Sequence, residues 1–344
     1  MVNILLTSAG GELSPLISQN FKNIKKFKKV TTVGIDVKNQ NVNKHFFDYF
    51  YKISKKKSKY LSDIKRIIRK HKINLILPAS DEEALLLSSH RKKIERGKIK
   101  IACTENQNIK IFSSKILTYK YLEKNQIRVG KWEIARNKNE LIKKIEKFFK
   151  KYDSIVIKPS ISRGGRNVFI INKKKKKTIY NPNNREIELN YKEFKKNFLQ
   201  SLTKFYPSIV MEKLFGPTFD LDMLCKNGNL INGITRRRLV SSMPNEGNLI
   251  VKNNKILMIG KKIAKIFELN WLYDCDFMFD RKKNPVVIEI NPRMSGSAIV
   301  GSYAGFNLFE NLIDLYLNKS IKRFKIKKKI LIVPFKQLFK TKKN

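Results

Sequence analysis

Residues 274–297 read Asp-Cys-Asp-Phe-Met-Phe-Asp-Arg-Lys-Lys-Asn-Pro-Val-Val-Ile-Glu-Ile-Asn-Pro-Arg-Met-Ser-Gly-Ser, and few backbone arrangements accommodate them. Two alternating runs flank a polar turn at 281–284, the pattern of a β-hairpin. Strand side chains alternate between faces. Cys275, Phe277 and Phe279 therefore share one face of the first strand, and Val286, Ile288 and Ile290 share one face of the second. The other face carries Asp274 and Asp276, then Glu289 and Asn291. With the turn centred between Lys282 and Lys283, Asp276 lies opposite Glu289 and Asp274 opposite Asn291. Opposed residues have Cβ atoms roughly 5 Å apart, and like charges so placed destabilise a sheet. A hard divalent cation with oxygen ligands removes the conflict; magnesium commonly takes one or two carboxylates plus substrate phosphates. The alternative is a solvated face with scattered acids, but a chain with 28 acids against 74 Lys and Arg has few to scatter.

At 344 residues the chain has room for two or three compact units. Its formal net charge is +46, mostly Lys, with runs at 55–57, 173–177 and 327–329. Such charge attracts nucleic acid or an anionic membrane surface. A specific nucleic-acid site more often concentrates Arg beside aromatics. No such cluster occurs, so the reading preferred is a solvated Lys coat with no specific nucleic-acid partner. Cys103, Cys225 and Cys275 stand far apart in apolar contexts without a CxxC pair, which reads as reduced, buried thiols in a cytoplasmic protein. No basic leader precedes the first strand, and no apolar run approaches the ~20 residues of a membrane span.

In chain order, residues 2–7 read as a strand, 8–11 as a small-residue turn and 13–27 as an amphipathic helix, the opening of a doubly wound α/β unit. Further strands are expected at 30–36, 73–78 and 100–103, with Ser80 capping a helix. Asp36, Asp81 and Glu82 sit at strand ends, where they serve either a ligand or a turn or cap. Beyond residue 105 come a helix from Lys115 to Lys124, an extended run at 128–135 and a basic helix at 138–151. A strand at 154–159 follows, holding Lys158, then a loop with Gly164 and Gly165, then a strand at 168–172. A strand-end Lys with a glycine loop suits polyphosphate, the Gly backbone approaching the oxygens; an ordinary hairpin is the alternative. Residues 173–197 read as a charged, mobile insert. Strands at 208–212, 218–225 and 230–238 follow, the last two joined at Asn227-Gly228. Arg236 and Arg238 share a strand face, suited to phosphate or carboxylate or to solvent. Helices are expected at 257–268 and 302–317. The apolar run 330–335 in the basic tail reads as an added strand or a segment lying on a partner or membrane.

These pieces resemble the ATP-grasp superfamily, especially single-unit relatives of the carbamoyl-phosphate synthetase large chain and other carboxylate–amine ligases. The most specific element is Glu289-Ile290-Asn291-Pro292-Arg293-Met294-Ser295-Gly296-Ser297, similar to the family's E-[IV]-N-P-R-x-S-G-S signature. The resemblance implies an α/β protein: a pre-ATP-grasp Rossmann-like domain at 1–105, a two-lobed α+β ATP-grasp domain at 106–318 (small lobe about 113–213, large lobe about 214–318) and a basic tail at 319–344. It implies that Glu289, Asn291 and Asp276 bind magnesium, with manganese a substitute, and that Arg293 contacts the transferring phosphate. Lys115 and Lys158 resemble the phosphate-binding lysines, although Ser114 stands where the family often has Asp. Gly164 and Gly165 match the phosphate-covering loop. Glu212, Lys213 and Leu214 resemble the adenine hinge. The family's ribose-binding Gly-x-Glu is here Gly216-Pro217-Thr218, with Asp220 the substitute considered. Arg236, Arg238, Ser295 and Gly296 are candidate substrate contacts.

The implied reaction is phosphoryl transfer from ATP to a carboxylate, followed by attack of an amine on the acyl phosphate, with Arg293 and Lys158 as catalytic residues. Partners are then a small carboxylate and a small amine, and a homodimer is open. Two other readings compete: a nucleotide-binding regulator that kept the clamp without turnover, and a nucleic-acid or membrane-surface protein acting through its charge.

Overall fold

The computed structural model describes residues 1–38, 42–162, 167–175 and 186–335. Three sheets organise the chain. The first contains β1 (Val2–Leu6), β2 (Val30–Asp36), β3 (Tyr49–Lys52), β4 (Leu75–Leu77) and β5 (Lys100–Ile101), all parallel in the order β3-β2-β1-β4-β5. This is the expected doubly wound unit, plus β3, a short edge strand whose exposed Tyr and Lys ends hide it from a search for apolar runs. Parallel strands need helical crossovers, and helices at Ser14–Lys22 and Lys57–His71 supply two of them.

The second sheet runs β6 (Trp132–Ala135), β10 (Ser208–Glu212), β7 (Ser154–Pro159), β8 (Val168–Asn172), β9 (Glu186–Asn190). Its last strand corrects the expectation of a mobile insert at 173–197. β9 pairs in parallel with β8, and Leu189 and Phe194 are buried in this lobe's core. Lysine density conceals the strand, because only alternate β9 residues need be apolar.

The third sheet carries β15 (Pro285–Asn291), β14 (Trp271–Phe279), β11 (Phe215–Lys226), β12 (Asn229–Arg238), β13 (Asn248–Ile250) and β16 (Ile330–Ile332), in that order. β16 resolves the reading of the tail's apolar run: it pairs antiparallel with β13. Asn227 and Gly228 adopt positive φ of 47° and 74°, the left-handed pair that a tight hairpin requires. The helix expected at 302–317 is two: Ile299–Tyr303 and Leu308–Tyr316, parted at Gly305 with φ +87°.

The β14–β15 hairpin has the expected pairs Asp276–Glu289 and Asp274–Asn291. It reaches them by another route. Nearer the turn the register is one residue tighter, with Phe277 opposite Val287, and Ile288 is the extra residue that restores it. That bulge corrects the expected faces. Val287 and Ile290, not Ile288, join Cys275 and Phe277 in the core, whereas Ile288 turns to the opposite side with Met278.

One apolar cluster spans two sheets: Ile4, Ile17 and Phe21 of the first unit pack with Leu308, Phe309 and Leu312 beside the third. Lys26 adds an ion pair at 2.7 Å to the buried Asp314. The three cysteines are buried and free, and burial pushes the Cys103 and Cys225 thiols up to about 12. Among the described residues no helix is long and apolar enough to cross a membrane.

Candidate active site

A cleft of about 380 Å³ opens between the second and third sheets. Its inner part is an apolar slot: Val156, Val168, Ile170, Met211 and Leu214 on one side, Met278 and Ile288 on the other. Glu212 and Lys213 line its edge, and one Glu212 oxygen accepts from the Lys131 N–H at 2.8 Å.

Two lysines stand over the polar part. Ser114 caps the helix Lys115–Lys124. The buried Lys115 Nζ donates to the Ser162 carbonyl at 2.8 Å and to Glu289 Oε1 at 3.1 Å. Lys158, on β7, is 4% exposed and donates to Tyr119 Oη at 2.7 Å. Tyr119 in turn donates to the Ile288 carbonyl at 2.9 Å. Burial raises the Tyr119 pKa, so the phenol keeps the proton that ties Lys158 to the β15 backbone.

The floor is ionic. Strand pairing sets Asp220 beside Arg236 and Asp276, and Asp222 beside Asp274, so charged side chains of three adjacent strands converge on one face. Arg236 binds Asp222 at 2.6 Å and 3.1 Å, Asn248 at 3.0 Å and Asp220 at 3.2 Å. Arg238 grips Asp220 with two nitrogens and reaches Asp276 at 2.7 Å. Asn291 donates to Asp274 at 3.0 Å.

Two guanidiniums thus face four aspartates, and the surplus charge shows in the pKa values. Burial acts to raise Asp220, but Arg236 and Arg238 outweigh it and hold it below the usual range. Burial, with Arg238 opposing, pushes Asp276 up to about 6. Burial and the neighbouring carboxylates drive Asp274 well above its ordinary value. For Glu289 the lysines and Arg293 overcome burial and lower the pKa.

This donor set fits a hard cation. Asp274 Oδ1 and Asp276 Oδ1 are buried without a hydrogen-bond partner among the described residues. Carboxylate oxygens of Asp220, Asp274 and Asp276 lie within 4.8 Å of one another. Asp220 is already committed to two arginines, which leaves Asp274, Asp276, Glu289 and Asn291 facing the cleft.

Several expected residues do converge there: Lys115, Lys158, Glu212, Lys213, Leu214, Arg238, Asp276, Glu289, Asn291, Arg293, Ser295 and Gly296 all line the cleft. Two do not. Asp220 and Arg236 are 0% exposed and bound to each other. Neither can meet a ribose or a substrate, because opening the pair leaves a buried charge uncompensated. Gly164 and Gly165 lie outside the described residues. Tyr119 and the structural role of Asp222 were missed. The spacing Asp220-x-Asp222, repeated in Asp274-x-Asp276 and Arg236-x-Arg238, was the available signal, since i and i+2 share a strand face. Of the strand-end acids, Asp36 accepts from the Gly10 and Lys38 N–H groups as a turn residue, while Asp81 reaches Arg293.

Residues 204–338 match the family model described as ATP-grasp in the biosynthetic pathway with Ter operon, and residues 4–102 match the PylC-like N-terminal domain. No curated protein matches the chain in sequence. Similar solved structures include N5-carboxyaminoimidazole synthetase from Staphylococcus aureus, with TM-score 0.69 and 16% identity over 96% of this chain and 82% of that one. The biotin carboxylase domain of the Hydrogenobacter thermophilus 2-oxoglutarate carboxylase has TM-score 0.66 and 16% identity, covering 94% and 70%. L-amino acid ligase from Bacillus licheniformis has TM-score 0.62 and 11% identity, covering 92% and 74%. At such identities the likeness is one of fold, and it agrees with the two family models and with the Glu289–Ser297 signature. The N-terminal domain is thus PylC-like over residues 4–102, and the C-terminal part is an ATP-grasp domain matched over residues 204–338.

Proposed function

We propose that this protein is an ATP-dependent ligase that converts a carboxylate to an acyl phosphate and couples it to an amine, releasing ADP and phosphate. The observation that carries the reading is the cleft's division of labour. One cleft is lined by an apolar group, by two buried lysines and by carboxylates with unmatched oxygens. Adenine suits the slot, with Glu212, Lys213 and Leu214 at its edge. The phosphates then lie between Lys115, Lys158 and the floor.

Magnesium, held by Asp276, Glu289 and Asn291 with Asp274 beside them, would supply charge neutralisation for the phosphate oxygens. The chain's own residues do the rest. Lys115 and Lys158 offset phosphate charge, and Arg293 orients the transferring group. A carboxylate oxygen attacks the γ-phosphorus, the bond to the β–γ bridging oxygen breaks, and ADP leaves. The amine nitrogen then bonds to the acyl carbon, the carbon–oxygen bond breaks, and phosphate leaves with the proton lost by the nitrogen. Such chemistry is chiefly positioning and electrostatic stabilisation.

The test is an ADP-release screen of carboxylic acids with magnesium, each offered with hydroxylamine and with a panel of amines. Glu289→Gln is expected to lower turnover by on the order of 10²-fold or more while the melting profile stays cooperative. Undiminished ADP release in that variant would sink the assignment.

A further inference from the structure

The segment after β4 brings a carboxylate to the cleft that the phosphate site does not employ. Ser80 caps the helix Asp81–Ser89, its Oγ accepting from the Glu83 N–H at 3.3 Å. Glu83 is pinned by the hydroxyls of Thr7, Ser8, Ser80 and Tyr60. Asp81, fixed between them, lines the cleft with its Oδ1 at 3.0 Å from Arg293 Nε. The approach is an ion pair without hydrogen-bond geometry. Both atoms are buried, and neither has a hydrogen-bond partner among the described residues. Unmatched buried polar atoms are rare enough to need an explanation. The lining of the same cleft includes Ser241, Ser242, Asn245, Ser295 and Ser297.

We propose that Asp81 is the subsite for the acceptor amine, binding its ammonium form and exchanging partners with Arg293. The inference rests on the ligase reading above. An ammonium brings N–H donors to the unmatched Oδ1 and a positive charge in place of the guanidinium. Arg293, so released, turns its unmatched Nε–H to an oxygen of the acyl phosphate. Amine binding thereby delivers the arginine to the reacting group. Before attack the ammonium sheds one proton to Asp81, which passes it to water. The nitrogen lone pair forms the bond to the acyl carbon, the departing phosphate takes the electrons of the broken carbon–oxygen bond, and the nitrogen's second surplus proton leaves with that phosphate. The class selected is a cationic primary amine with a small polar body, matching the hydroxyl and amide lining of the cleft.

Asp81→Asn and Asp81→Glu are compared with the wild type in ADP release, using the carboxylate from the screen and two nucleophiles. One is the amine from the screen. The other is hydroxylamine, which is uncharged at neutral pH and traps acyl phosphates with no need of an ammonium subsite. Asp81→Asn is expected to lower kcat/KM for the amine by about 100-fold, through a raised KM and a lowered kcat together, and for hydroxylamine by less than about 10-fold. Asp81→Glu should recover part of the amine value. Equal losses with both nucleophiles, or no loss with the amine, would overturn the subsite and leave the ligase reading standing. Absence of ADP release by the wild type with every carboxylate and hydroxylamine would overturn both. If Asp81→Asn does not melt cooperatively, Asp81→Ser replaces it with the same expected split.

Discussion

A buried carboxylate of the N-terminal domain and the buried carboxylates of the cleft floor are held on opposite terms. Glu83, in the N-terminal domain, accepts from four hydroxyls: Thr7 at 2.6 Å, Ser8 at 2.6 Å, Tyr60 at 2.9 Å and Ser80 at 3.0 Å. Burial and then Glu83 itself raise the Tyr60 pKa, which keeps that donor protonated. On the floor, three aspartates share two guanidiniums, Asp274 is bound by Asn291, and Asp274 and Asp276 each keep an oxygen unmatched. The first group is a joint that fixes a loop and a helix. The second holds unmet charge where a ligand can meet it. Burial of an acid is therefore a poor mark of function by itself; an unmatched oxygen in a cleft is a better one.

Breaking the joint should have the largest effect on stability. Glu83→Ala strands four hydroxyl donors and frees the segment carrying Asp81. It is expected to destabilise the protein by about 3 kcal/mol, read from the urea midpoint at unchanged slope. A loss under about 0.5 kcal/mol would erase the contrast between the two groups.

The floor should respond to pH with a definite sign. Asp276 is raised from 3.8 to about 6. An acid whose folded pKa exceeds its unfolded value holds its proton more tightly when folded. Its contribution is therefore full below about 4 and is lost as pH rises through about 6. Magnesium should offset that loss. The melting temperature gained on adding it is expected to be larger at about pH 7.5 than at about pH 5, and to shrink in Asp276→Asn. An equal gain at both pH values would show that these acids do not hold the cation.

Exposed charge should matter least. Lys173 and Lys174 pair with Asp153 at the surface and Lys175 with Glu188, while Lys176 and Lys177 lie outside the described residues. Replacing the five lysines of 173–177 by Gln is expected to leave the saturated rate within about twofold and to raise the apparent ATP constant modestly at low salt. Exposed charges are screened beyond roughly 8 Å at physiological ionic strength. Abolished activity in steady-state ADP release would show that the Lys coat takes part in the chemistry.

The sequence by itself determined what is local. Alternation put Asp274, Asp276, Glu289 and Asn291 on one face of a hairpin, and the spacing within Glu289–Ser297 carried the resemblance. Lys115 and Lys158 were legible as residues opening a helix and closing a strand. The tertiary structure decided what depends on distant partners. The Ile288 bulge exchanged the faces expected for Val287 and Ile288. β11 came to lie between β14 and β12, so that Asp220 and Arg236 became a sealed ion pair and not ligand contacts. Asp81 met Arg293 because one apolar core packs the first sheet against the helix Leu308–Tyr316. Strand period and motif spacing fix which way a side chain faces. What stands opposite it is set by non-local packing, which no local pattern encodes.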